Sequence, residues 1–251
     1  MNKSVTKAKD IRLINQHLRF RNRTTMSWLI SCRLSPFFSA WFVNNRITPN
    51  QVTLMMILSG LLGSILFSLP ILICKIVGAV FIQLWFVFDL SDGEVARYSK
   101  QYSKYGTEMD FMAHVINHPF FIVSFLLCFR QLYDIEWHKL CILFGVFLVS
   151  EFWARSTVSF YNIIENDRKK NIGFEPLKNN KNNGCVRNII SYVRGNIWAF
   201  PNYVLIFPFL YGLDALFHTT YFLYLTALIA CLQIIDNLRQ IIHCLIQLYK
   251  G

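Results

Sequence analysis

The sequence predicts an all-α integral membrane protein, with six transmembrane helices preceded by an interfacial amphipathic helix. Three observations carry this reading. Of the 251 residues, 54% are apolar and 16% aromatic, a balance that soluble domains of this length rarely show. The apolar residues fall in long runs rather than in alternation. Lysine and arginine gather in every second connection between those runs.

A spanning helix needs about 20 largely apolar residues. Candidates run from about Gln51 to Leu69, Ile71 to Leu90, Met109 to Phe129, Leu140 to Val158, Ile197 to Phe217 and Tyr221 to Ile242. Pro70 separates the first two. Met26 to Val43 is also apolar, but Arg33 and Pro36 interrupt it, and Ser27, Ser31, Ser35 and Ser39 form a stripe at every fourth position. That pattern suits a helix lying in the interface. The chain thus divides into a basic N-terminal segment, 1–50, and a six-span domain, 51–251, with a solvated loop at about 159–196 rich in Asn and Lys.

Orientation follows from the basic residues. Lys3, Lys7, Lys9, Arg12, Arg19, Arg21, Arg23, Arg33 and Arg46 precede the first span. Arg97, Lys100 and Lys104 lie in the second connection, and the fourth holds Arg168, Lys169, Lys170, Lys178, Lys181, Arg187 and Arg194. The positive-inside rule places these segments, and both termini, in the cytoplasm. The net charge of +11 is explained by topology and anionic lipid, with no nucleic-acid partner. The seven scattered cysteines include no C-x-x-C pair and read as small apolar filler.

The stretch DLSDGEVARYSKQYSKYGTEMDFMAH joins the second and third spans. Asp89 and Asp92, at i and i+3, share a helix face, while Gly106, Asp110 and His114, at successive i+4 steps, form a stripe on the next helix. A short connection makes the two helices antiparallel neighbours, so three carboxylates and an imidazole converge near the cytoplasmic membrane surface. Crowded carboxylates repel one another, and a divalent cation relieves that repulsion. Mg²⁺ is the default for oxygen ligands and recruits phosphate oxygens to complete its shell. Interfacial acids balanced by Arg97, Lys100 and Lys104 would produce the same spacing without a metal.

Asp89-x-x-Asp92-Gly93-x-x-Ala96-Arg97, eight residues, then Gly106-x-x-x-Asp110 resembles the signature of the CDP-alcohol phosphatidyltransferases. Upstream, Thr48-Pro49-Asn50-Gln51-Val52-Thr53 resembles the start of that family's first span. The resemblance implies that Asp89, Asp92 and Asp110 bind two metal ions, Mg²⁺ or Mn²⁺, and through them the donor's pyrophosphate. It implies that Asp89, Gly93, Ala96, Arg97 and Gly106 line the nucleotide site, with Pro49 and Thr53 beside the cytidine. The implied reaction moves a substituted phosphate from a CDP-activated alcohol, either CDP-diacylglycerol or a CDP-polar alcohol, to an acceptor alcohol with release of CMP. At least one of the two is a lipid, as in phospholipid or lipid-linked glycan synthesis. Family members commonly form homodimers, which becomes an expectation here.

The departure is His114, where the family pattern ends in a fourth aspartate that serves as general base. A neutral imidazole can abstract a proton, its ordinary pKa of about 6.5 suiting that task better than a carboxylate's of about 4. It brings no negative charge, however, and favours softer ions than Mg²⁺, which brings Mn²⁺ into play. The expectation is that His114 is the base, with a ligand role or an inactive relative left open. A cation-binding transporter would place its acids near the bilayer midplane and often in repeated halves, whereas here they cluster on one side without a repeat. Glu151 and Arg155, at i and i+4 in the fourth span, are either a structural ion pair or a contact for the acceptor or a phosphate.

Overall fold

A computed structural model describes residues 5–19, 30–172 and 200–250. Among these, α-helix dominates and no strand occurs: α1 (Ala8–Arg19), α2 (Cys32–Asn44), α3 (Pro49–Ser68), α4 (Leu72–Ser99), α5 (Gly106–Leu132), α6 (Trp137–Ile172), α7 (Phe200–Phe217) and α8 (Tyr221–Lys250). Five helical stretches are long and apolar enough to cross a membrane: Pro49–Ser68, Leu72–Ser99, Gly106–Leu132, Trp137–Tyr161 and Leu223–Ile246. Pro201–Phe217 is a shorter apolar helix. The chain is therefore a multi-pass, all-helical membrane protein, and the expected count of six spans holds as an approximation.

Boundaries differ from expectation in informative ways. The second span was expected to end near Leu90, but α4 runs on to Ser99 and carries the whole first half of the motif. It stops where Lys100 adopts a left-handed conformation, φ 54°. Residues 159–172, expected as the start of a loop, instead continue α6 to Ile172; good helix formers such as Glu165, Arg168, Lys169 and Lys170 follow the apolar run and extend the helix. Met26, Ser27, loop residues 173–196 and the start of the expected fifth span lie outside the described residues. Pro36 does not interrupt α2, which continues through it.

The motif's flanking residues explain where α3 starts. The Thr48 side chain accepts from the Gln51 amide, and the Gln51 side chain accepts from the Thr48 amide at 2.8 Å. This reciprocal cap satisfies two of the otherwise unpaired donors of the first turn. Pro49 follows at the first helical position, where its missing N–H costs nothing.

Small residues let α3 and α4 approach closely, as membrane helices require in the absence of a hydrophobic drive between them. A Cβ on Gly78 would meet the Phe67 backbone nitrogen at 2.5 Å, and one on Gly63 the Ile82 nitrogen at 2.9 Å. An aromatic core then joins α4 and α5 to α6 and α7: Trp85, Phe121, Phe125, Phe129, Phe147, Tyr203 and Phe207 are all buried. Phe125 stacks on Phe207 with ring centroids 3.7 Å apart. Asn117, turned so that its oxygen faces Trp85, accepts from the indole at 3.0 Å and donates to the Ile57 carbonyl at 3.1 Å, fastening α5 to both neighbours. Large apolar side chains such as Leu58, Leu62, Ile73, Ile76, Val123 and Val146 remain on the outside, the face a lipid environment covers.

Because the clash at Gly78 is with backbone, Gly78→Val should destabilise the bundle by about 1–3 kcal/mol. Thermal unfolding in detergent should show a lower midpoint, with Gly145→Val, where a Cβ meets nothing within 4 Å, changing it far less.

Candidate active site

The site forms where the last turns of α4 face the first turns of α5. Both helices are continuous there, so side-chain direction is set by helical phase alone. Asp89 of α4 and Asp110 and His114 of α5 present ligand atoms that all lie within 4.8 Å of one another. His114 Nε2 is 3.1 Å from Asp89 Oδ1 and 3.5 Å from Asp110 Oδ1. Asp89 and His114 are mostly enclosed, each side chain 15% exposed, while Asp110 is 47% exposed and forms the open lip.

His114 is held from behind. Its ring meets the buried Trp85 edge-on at 5.8 Å and His118 at 5.2 Å. The Nδ1 atom is buried and has no hydrogen-bond partner among the described residues. All the polar contacts of this imidazole therefore run through Nε2, which points at the two acids.

Asp92 makes its hydrogen bonds to α3 and to its own helix. Its Oδ2 accepts from Thr53 Oγ1 at 2.8 Å and its Oδ1 accepts from the Gly93 amide at 2.5 Å. It thus bonds across to α3 while lying beside the group of Asp89, Asp110 and His114. One turn earlier on α3, Asn50 Nδ2 donates to Ser103 Oγ at 3.4 Å, drawing the start of α3 to the α4–α5 connection. Thr53, whose hydroxyl also lies 3.2 Å from the Pro49 carbonyl, thus ties the start of α3 to Asp92.

The small residues have distinct surroundings. The space a Cβ on Gly93 would need is taken by the Arg97 guanidinium, whose Nη1 lies 2.9 Å from that position. Gly93 therefore makes room for Arg97 to lie back along the helix toward the acids. Ala96 is half-buried one turn on. Gly106 opens α5, its amide donating to the Ser103 carbonyl at 3.3 Å.

One turn deeper along α5 is a second polar group, only partly legible in the sequence. His118 Nδ1 lies 3.0 Å from Glu151 Oε1, and Arg155 Nε donates to the same oxygen at 3.0 Å. Arg155 Nη2 is 3.2 Å from His118 Nε2. A ring protonated at Nδ1 satisfies both neighbours, donating to Glu151 and accepting from Arg155. Asn237 of α8 donates to the other Glu151 oxygen at 3.3 Å. Glu151 and Arg155 are thus a paired group, as one of the two readings had it, with Arg155 still partly accessible (26% of its side chain). Asn237 was missed; the available signal was an amide within the apolar run of the last helix.

The donor set, two carboxylate oxygens and an imidazole nitrogen converging on one point, fits a divalent cation, with nitrogen moving the preference away from purely oxygen-ligated ions. Residues 46–176 match the family model for CDP-alcohol phosphatidyltransferase, a stretch that contains α3, α4, α5 and all these site residues except Asn237. The chain belongs to the CDP-alcohol phosphatidyltransferase family. Comparison with curated proteins finds no match. The CDP-alcohol phosphatidyltransferases are membrane transferases acting on a CDP-alcohol donor and an alcohol acceptor, and they generally depend on divalent metal. Among the described residues, Asp89, Asp110 and His114 form a group that could hold such an ion.

Thr53→Val removes the hydroxyl that aims Asp92 while preserving shape. Hydrogen bonds to charged groups contribute about 1.5–3 kcal/mol, so the unfolding temperature should fall by several degrees and kcat/KM for CMP release by about 10- to 150-fold.

Proposed function

We propose that this protein transfers a substituted phosphate group from a CDP-activated alcohol to an acceptor alcohol at the cytoplasmic face of the membrane, releasing CMP, in phospholipid or lipid-linked glycan synthesis. The observation that carries the proposal is the convergence of Asp89, Asp110 and His114 at the mouth of the α4–α5 pair, within a family match. The basic segments flanking this end support the cytoplasmic orientation, by the positive-inside rule.

In this reading Asp89, Asp92 and Asp110 would hold the divalent cations, Mg²⁺ or Mn²⁺, while His114 Nε2, 3.1 Å from Asp89 Oδ1, keeps its lone pair for the proton. A cation bound there supplies charge neutralisation for the donor's pyrophosphate. The chain's own residues do the rest. Thr53 fixes Asp92 at the nucleotide side, with Pro49, Gly93, Ala96 and Gly106 bordering it. Arg97, lying over Gly93, pairs with phosphate oxygens. His114 Nε2 receives the proton of the acceptor hydroxyl; the acceptor oxygen attacks the phosphorus of the transferred group, and the bond to CMP breaks as CMP leaves with the electron pair. The partly accessible Arg155, steadied by Glu151, faces the side from which an acceptor phosphate would enter.

Purified protein, incubated with a panel of lipid and soluble CDP-alcohols and acceptors in Mg²⁺ or Mn²⁺, should release CMP with at least one pair. Asp92→Asn serves as the blank. A folded wild type that releases none with any pair sinks the proposal.

His114→Asp separates the roles of the imidazole. A carboxylate restores a formal negative charge beside the three acids, so the second cation should bind more tightly. It also holds a proton less tightly than an imidazole, so the acid-side fall in kcat should move to lower pH. An unmoved acid limb would remove His114 from the proton-transfer step.

A further inference from the structure

Glu94 lies inside the motif, between Gly93 and Val95, yet takes no part in the site. Its side chain is fully buried, at 0% exposure. A carboxylate withdrawn from water is costly unless its oxygens are satisfied, and here both are: Ser35 Oγ donates to Oε1 at 3.0 Å and Ser39 Oγ to Oε2 at 2.8 Å. Both donors come from α2. Beside them, Ser91 Oγ is 3.4 Å from the Ser35 carbonyl. The serine stripe of α2 is therefore turned inward against α4, and Ser31, Ser35 and Ser39 are all wholly buried. The opposite side of α2 presents Leu34, Phe37 and Trp41 outward, 43%, 58% and 56% exposed.

Helical phase gives this contact its meaning. Successive residues turn by about 100° around a helix of 3.6 residues per turn. Asp89, Asp92, Gly93 and Ala96 consequently share one side of α4, and Ser91 and Glu94 lie close to the opposite side. A carboxylate group about 5 Å off the axis moves by roughly 2 Å when the helix turns by about 20°. Metal-ligand distances tolerate only about 0.2 Å. The tie on the back of α4 thus controls the aim of the acids on its front.

We infer that Glu94 is a positioning residue. By accepting from Ser35 and Ser39 it locks the rotation of α4 against the interfacial helix α2, and so sets Asp89 and Asp92 in register with Asp110 and His114. The inference rests on the reading of those acids as a cation and phosphate site. It assigns α2, which contributes no atom to that site, a role in its geometry.

The test uses full-length protein and two readouts, CMP release and direct titration of Mn²⁺ alone. Variants are Glu94→Gln, Glu94→Ala and the pair Ser35→Ala with Ser39→Ala. Glu94→Ala and the serine pair should bind Mn²⁺ about tenfold or more weakly and lose kcat by about 10- to 100-fold, while the KM for the CDP-alcohol changes little. Glu94→Gln, which keeps length and can still bond both serines, should recover most of the loss. Combining Glu94→Ala with the serine pair should add little further, because all three remove one tie. Single Ser35→Ala and Ser39→Ala variants provide the milder series if the others fail to fold. Wild-type Mn²⁺ affinity and kcat in folded Glu94→Ala or serine variants would overturn the positioning role while leaving the transferase reading intact. Mn²⁺ affinity that falls in the variants when no protein releases CMP would uphold it and overturn the transferase reading. A wild type that neither binds Mn²⁺ nor releases CMP overturns both.

Discussion

An ionised carboxylate at the depth of a membrane helix has no water to turn to, and the arrangement of this bundle follows from how each acid is satisfied. Asp89 and Asp110 meet the His114 imidazole. Asp92 is held by Thr53, Glu94 by two serines, and Glu151 by His118, Arg155 and Asn237. At the far end Asp214 accepts from Tyr133 and Thr219. The contacts of Asp110 with His114 and of Glu151 with Arg155 lie within one helix, and Thr219 lies just beyond the helix of Asp214; the other ties join different helices. Intramembrane charges ordinarily face the bundle interior and pair; here those pairings also fix which face each helix turns inward. Close approach through Gly63 and Gly78 then brings α3 and α4 within range of such short side chains as threonine.

The acids fall into two kinds. Glu94, Glu151 and Asp214 are buried and surrounded by donors from the protein. Asp110 is nearly half exposed, and the contacts of Asp89 and Asp110 with His114 leave carboxylate oxygens facing the opening. The first kind holds helices together; the second leaves coordination to be completed from outside. This contrast gives a physical reason, separate from the motif, for locating the chemistry at the α4–α5 mouth.

Much of this was legible in the sequence because helical spacing is a local property. The i, i+3 pair Asp89 and Asp92 and the i, i+4 stripe of Gly106, Asp110 and His114 follow from pitch alone, and the apolar runs mark the spans. What was not legible depends on how one helix is rotated against another. That Thr53 donates to Asp92 is decided by the α3–α4 approach. The serine stripe of α2 was visible as a stripe, but an interfacial helix ordinarily shows its polar side to water. Here that side faces Glu94, an acid whose burial nothing in the neighbouring sequence announces. The extension of α6 to Ile172 was hidden because polar, helix-forming residues look the same in a loop and in a solvated helix.

The length of α4 has a bearing on how two dissimilar molecules could meet. From Leu72 to Asp89 the helix rises about 26 Å, close to the roughly 30 Å thickness of a bilayer's hydrocarbon. The stretch from Asp89 to Ser99 adds about 15 Å. With Leu72 at one hydrocarbon boundary, the acids would stand at the level where acyl chains give way to headgroups. In the proposed reaction a water-soluble nucleotide would arrive there without entering oil, and an alcohol carried on a lipid would arrive without leaving it. A rigid rod of fixed height would thus act as a landing stage between two phases, sparing either reactant the cost of crossing into the other's solvent.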